Sequence, residues 1–174
     1  MKKLGIILLI LGVTSLLVYL IIRMLKPTDN SNTHITATEQ MNKKQFTEQD
    51  GKDAILQIQK EYGTDTAKLI EKMMRLETAH FKSGQYKLTG SAGMEQGKWQ
   101  DIPTGATDGY IEIKDNQDGH LGKFIVWHSV TDFARYLAEY IKRHDNNYAR
   151  WNSTKEPLQA EYRKRVNEIK SRFV

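Results

Sequence analysis

The stretch Arg75-Leu76-Glu77-Thr78-Ala79-His80-Phe81 decides how this chain is read. Counting back from Glu77 by helical steps gives Met73 and Ile70, and counting forward gives His80 and Phe81. Side chains three, four and seven apart share a helix face, so the spacing predicts one carboxylate on an apolar stripe. Such a carboxylate is either neutralised by a nearby Lys or Arg, or kept protonated by desolvation and able to donate a proton.

Working outward, the flanking sequence supplies the rest of a small helical domain. Thr47 or Asp50 caps a helix running to Tyr62, with Ala54, Ile55 and Ile58 on one face and Gly63 as its stop. Residues 64–66 cap the next helix, 67–81, whose stripe is Leu69, Ile70, Met73, Leu76 and Glu77, and Ser83-Gly84 ends it. Residues 85–108 carry Gly90, Gly93, Gly97 and Gly105 with Trp99 and Pro103 and no helical period, a composition suited to a cleft wall. Tyr110-Ile111-Glu112-Ile113 and Phe124-Ile125-Val126-Trp127 alternate as strands, and the polar run 114–123 joins them as a hairpin. Ser129 and Asp132 form a capping box for a helix to His144, and Pro157 starts a last helix carrying Leu158, Tyr162, Val166, Ile169 and Phe173.

At 174 residues there is room for one domain and an anchor. With no cysteine, disulfides and thiolate chemistry are excluded. Residues 4–22 carry no charge and, as a helix, span roughly 28 Å, matching a hydrocarbon core of about 30 Å. Arg23-Met24-Leu25-Lys26-Pro27 offers no small-x-small cleavage site, so residues 1–26 read as a cytoplasmic N-terminus and an uncleaved transmembrane helix. Residues 27–46 are polar and aperiodic and read as a flexible tether with a reach of about 25 Å. The net charge of +5 owes four Lys or Arg to residues 1–26, and the remainder stands at +1. Residues 135–174 are mildly cationic, with ten basic and five acidic side chains, which falls short of a nucleic-acid-binding stripe.

Residues 47–174 resemble the glucosaminidase family of bacterial autolysins and flagellar-rod peptidoglycan hydrolases, within the lysozyme-like superfamily. Arg75-Leu76-Glu77-Thr78 resembles the family's helix end, which closes on Glu-Ser with the Glu as general acid. Tyr110-Ile111-Glu112, followed by Phe124-Ile125-Val126-Trp127-His128-Ser129, resembles the family's hairpin and the cap of the helix after it. This chain departs from the pattern at Thr78, and at the glycine-rich run 89–95, which stands where the family contacts the sugar. The resemblance implies an α+β, mainly helical, lysozyme-like domain with a small β-hairpin. It also implies hydrolysis of β-1,4 glycosidic bonds in peptidoglycan glycan strands, with no metal and no cofactor.

Such hydrolysis needs an acid to protonate the leaving oxygen and a second group, either a carboxylate or the substrate's own N-acetyl group. Glu77 is the expected acid, and Glu112 is the first candidate for the second group, with a strand-edge charge as its plain alternative. Trp99, Tyr110 and Trp127 are candidates for stacking on sugar rings, Tyr148 for the cleft, and His80 for the face of Glu77. His120 and His128 are too isolated to be metal ligands. Muramidase and lytic transglycosylase chemistry stay open beside the glucosaminidase. So do a non-catalytic glycan-binding module and a structural or assembly protein of a membrane-associated or phage apparatus.

Overall fold

The computed structural model describes residues 33–114 and 121–174. Residues 1–26, where the anchor is expected, lie outside them, and among the described residues no helix is long and apolar enough to cross a membrane. The elements in order are α1 (Ala37–Lys43), α2 (Glu48–Tyr62), α3 (Thr64–Glu77), α4 (Gly84–Thr89), β1 (Thr107–Lys114), β2 (Leu121–Trp127), α5 (Val130–Arg143), a 3₁₀ turn (Tyr148–Trp151) and α6 (Glu156–Glu168). The described residues are therefore mainly helical with one small antiparallel sheet.

The core forms where α2, α3 and α5 pack together, because each presents one apolar stripe. Ala54, Ile55 and Ile58 of α2 meet Ile70, Met73 and Met74 of α3 and Phe133, Leu137 and Ile141 of α5, all buried. Each fully buried side chain of this size stabilises the fold by about 1.5–3 kcal/mol. α6 closes the core with Tyr162 and Val166. At one end of α2 and α5, Arg135 grips Glu61 through two hydrogen bonds of 2.6 and 2.8 Å. The Arg135 guanidinium and the Gln57 amide hold the Glu61 carboxyl down at about 2.

In the hairpin, Ile111 pairs with Phe124 and Glu112 with Lys123. Ile111, Phe124 and Val126 form a satellite cluster under Leu88, while Ile125 and Trp127 join the main core. Trp127 is wholly buried against Phe133 and Tyr136, so it has no face for a sugar ring.

Residues 84–89 form the helix α4 where no helical period is expected, and α6 ends at Glu168, leaving Ile169 and Phe173 beyond it. Two segments differ more deeply from the sequence expectation. Residues 33–46, the later part of the expected tether, are ordered. Thr36 and Glu39 form a capping box for α1, Phe46 is buried, and residues 33–35 run along the free edge of β1. Tyr110 N–H donates to Thr33 O at 2.8 Å, and Ile35 N–H donates to Tyr110 O at 2.7 Å. Gly109 permits this approach: it lies at φ +133, and a Cβ there would stand 2.1 Å from Thr33 O.

The second difference is that α3 ends at Glu77 and does not run on to Phe81. Thr78 is the cause. Its hydroxyl donates to Met74 O at 2.6 Å and accepts from Phe81 N–H at 2.8 Å, replacing the helical ladder with a local one. Ala79, His80 and Phe81 then take φ of 48, 58 and 66, a left-handed turn that costs about 1–2 kcal/mol per residue. The turn swings Phe81 against Gly51 of α2, where a Cβ would clash at 2.7 Å.

Candidate functional site

Glu77 is the last residue of α3, half-buried, immediately before the strained turn. Burial pushes its carboxyl above the ordinary value, and the Tyr162 hydroxyl and the more distant Arg165 charge only partly offset that. The Tyr162 hydroxyl is buried and makes no closed hydrogen bond among the described residues, so its approach to Glu77 is looser than a bond. Burial and the neighbouring Glu77 both push the Tyr162 phenol up, keeping it a neutral donor. A carboxyl in such a poorly solvated spot keeps its proton to higher pH than a solvated one, which is what general-acid chemistry needs.

The basic residue two positions earlier is not the partner of Glu77. Arg75 is buried, with Nη1 3.9 Å from Glu71 Oε1 and its guanidinium over the rings of Phe81 and Phe173. The remaining expected residues are dispersed. Glu112 is exposed on β1 and lies 3.6 Å from Lys123, its cross-strand partner. Tyr110 is half-buried, with the His34 ring at 5.2 Å and the Lys123 ammonium over its face. Tyr148 is half-buried at the start of the 3₁₀ turn, close to Arg163. His80 is exposed. Partial desolvation, then the charges of Arg75, Arg172 and Lys82, pull its imidazole below its ordinary value, so it is neutral near pH 7.

Trp99 does line a cleft, of 540 Å³, between residues 98–101, the C-terminal half of α5 and residues 150–154. The Trp99 and Trp151 rings stack at 4.3 Å, and Tyr140 meets both edge-on. Three polar contacts fix this group. Tyr136, its phenol pushed by burial up to about 12, donates to Gln100 O at 2.9 Å. Tyr140 donates to Arg150 O at 3.3 Å. His144 stacks on Tyr140 and donates from Nδ1 to Tyr140 O at 2.8 Å. The rim carries Lys98, Arg143 and Arg150 against the single acid Asp101.

Glu77 does not line this cleft. The two are linked through the protein: Tyr162 of α6 neighbours both Glu77 and Tyr148, and the 3₁₀ turn that begins at Tyr148 ends at Trp151. Sequence reasoning missed Tyr136, Tyr140 and Arg143 as cleft residues. A signal was present, because they recur at steps of four and three on α5, beside its apolar stripe.

Among the described residues no group of His, Asp or Glu could hold a metal ion. No family model, curated protein or solved structure matches this chain.

Proposed function

We propose that the protein is a peptidoglycan hydrolase of the lysozyme-like class, cutting β-1,4 glycosidic bonds in the N-acetylglucosaminidase manner with Glu77 as general acid. One observation carries this reading: a helix ends on a single half-buried carboxylate whose pKa is raised by desolvation, with a neutral phenol rather than a cation beside it. Residues 4–22 would hold the domain at the cytoplasmic membrane, with residues 47–174 outside, within reach of the glycan strands. Glu112 sits exposed against Lys123, so the substrate's N-acetyl group is the better choice for the second catalytic group.

The test is mass spectrometry of muropeptides released from purified peptidoglycan by wild type, Glu77→Gln and Glu112→Gln. Glu77→Gln keeps shape and hydrogen-bonding reach but removes the transferable proton, so release falls by about a hundredfold or more. Glu112→Gln loses less than about tenfold if the substrate assists itself, and as much as Glu77→Gln if two carboxylates act. The reducing end of each product tells a glucosaminidase from a muramidase or transglycosylase. Wild-type release by a folded Glu77→Gln protein refutes the reading.

A second reading is favoured by a different observation. The cleft has only Asp101 as an acid, and Glu77 lies outside its lining. A non-catalytic glycan-binding module has that arrangement, and it would retain saccharide affinity while wild type and Glu77→Gln alike release no muropeptides.

A further inference from the structure

The cleft combines two kinds of recognition that a neutral sugar would not require together. Its wall is aromatic: Trp99 and Trp151 are half-buried and held face to face, so the pair covers its own inner faces and offers a sugar its outer surface and ring edges. Its rim is cationic. Lys98 is engaged by Glu95 at 2.7 Å, and Arg143 has its guanidinium over the Tyr136 ring with Nε 3.9 Å from the exposed Asp101. Arg150 pairs with no carboxylate among the described residues and is held to Tyr140, whose hydroxyl donates to the Arg150 carbonyl and feels its side-chain charge. Arg143 and Arg150 thus both line the cleft that holds the aromatic pair, and guanidinium donors are suited to a planar carboxylate. The volume of 540 Å³ suits one or two sugar rings.

We propose that this cleft is a saccharide subsite selective for rings that carry a carboxylate, packing the ring against the Trp99–Trp151 pair and binding the carboxylate through Arg143 and Arg150. The inference rests on the glycan reading above and narrows it. In peptidoglycan every second ring bears a lactyl carboxylate or the acidic peptide built on it. The cleft would therefore set the register of the strand by holding the muramyl ring and leaving the alternate ring unheld.

The test is a tryptophan-fluorescence titration of the full chain in detergent micelles, using N-acetylglucosaminyl-N-acetylmuramic acid, its methyl ester and chitobiose. The acid binds about tenfold tighter than the ester or chitobiose at low salt, and the preference shrinks as salt screens the charges. Arg150→Gln and Arg143→Gln each remove most of that preference, and Arg150→Lys restores part of it. Circular dichroism reports whether each variant is folded, and both arginines are exposed, so neither substitution opens the core. Equal affinity for all three sugars overturns the proposal, as does an unchanged preference in both folded Gln variants. A single-stranded oligonucleotide that binds more tightly than the muramyl disaccharide also overturns it. These outcomes are separable from the catalytic reading. Selectivity with Glu77→Gln still cleaving sinks the acid and keeps the subsite, whereas loss of cleavage in Glu77→Gln without sugar selectivity does the reverse.

Discussion

Arg75 turns to Glu71, with Nη1 3.9 Å from Oε1, and leaves Glu77 without a cation in contact. Glu71 and Glu77, two of the three carboxylates of α3, consequently have different roles. Glu71 is fully buried and accepts the backbone N–H of Arg172 at 2.7 Å and of Phe173 at 3.2 Å, and the Ser171 hydroxyl as well. It clamps the last residues of the chain onto α3, with Phe173 stacked on Phe81 and Arg75 against both rings. Glu77 is left to the Tyr162 hydroxyl.

Removing the clamp strands a buried guanidinium whose Nε and Nη1 already lack hydrogen-bond partners. Glu71→Ala should cost about 3–5 kcal/mol in denaturant unfolding, the scale for breaking a buried ion pair. Hydrogen exchange should show the amides of Arg172 and Phe173 losing protection first. A cost below about 1 kcal/mol would mean that the tail is not held this way.

Glu77 should behave in the opposite sense. Its folded pKa is raised above the ordinary 4.5, so the folded state holds the proton more tightly than the unfolded chain does. Its desolvation penalty is absent below the unfolded pKa and grows as pH rises through the folded one. Glu77→Gln should match wild type in stability near pH 4 and equal or exceed it at pH 7. Urea midpoints across that range check this, and a variant less stable at pH 7 would reveal a pairing with Arg165 that outweighs burial. If Glu77 is the acid, wild-type cleavage should also decline as pH rises through the same raised pKa.

Thr78 holds the strained turn, and its hydroxyl can be tested apart from its bulk. Thr78→Val leaves the Phe81 N–H without its acceptor and should cost about 1–3 kcal/mol. Thr78→Ser keeps the hydroxyl and should preserve slow exchange of the Phe81 amide, which Thr78→Val should lose. Equal exchange in the two variants would show that the turn stands without this bond.

Gly109→Ala should release residues 33–35 from β1, since its Cβ cannot coexist with Thr33 O at 2.1 Å. The Tyr110 amide, which donates to Thr33 O, should then exchange freely, and proteolysis before Thr36 should accelerate. The Ile111–Phe124 pairing on the other side of β1 should persist. Unchanged Tyr110 protection would place the edge contact in doubt.

The sequence by itself determined the elements whose cause is local. Period and caps fixed α2, α5 and the hairpin, because Thr47, Gly63 and Ser129 act on neighbours within a few residues. The same local logic singled out Glu77 on its helix stripe, although periodicity carried that helix four residues too far. Residues 33–46 looked structureless although Thr36 and Glu39 form a local capping box, because residues 33–35 are held by β1 at Gly109 and Tyr110 and Phe46 by α4 at Lys87 and Gly90, all distant in the chain. The early end of α3 was also hidden, since Thr78 can serve a helix or a turn, and the contact of Phe81 with Gly51 favours the turn. Which cation would take which carboxylate was likewise a tertiary matter: Phe81 and Phe173 draw Arg75 to the Glu71 side, and Tyr162 arrives from α6 to meet Glu77. The cleft, too, unites three segments spread over residues 98–154, each with its own helical or loop logic. Their aromatic rings became one surface only when α5 and the 3₁₀ turn packed together, because stacking depends on positions in space that sequence spacing does not encode.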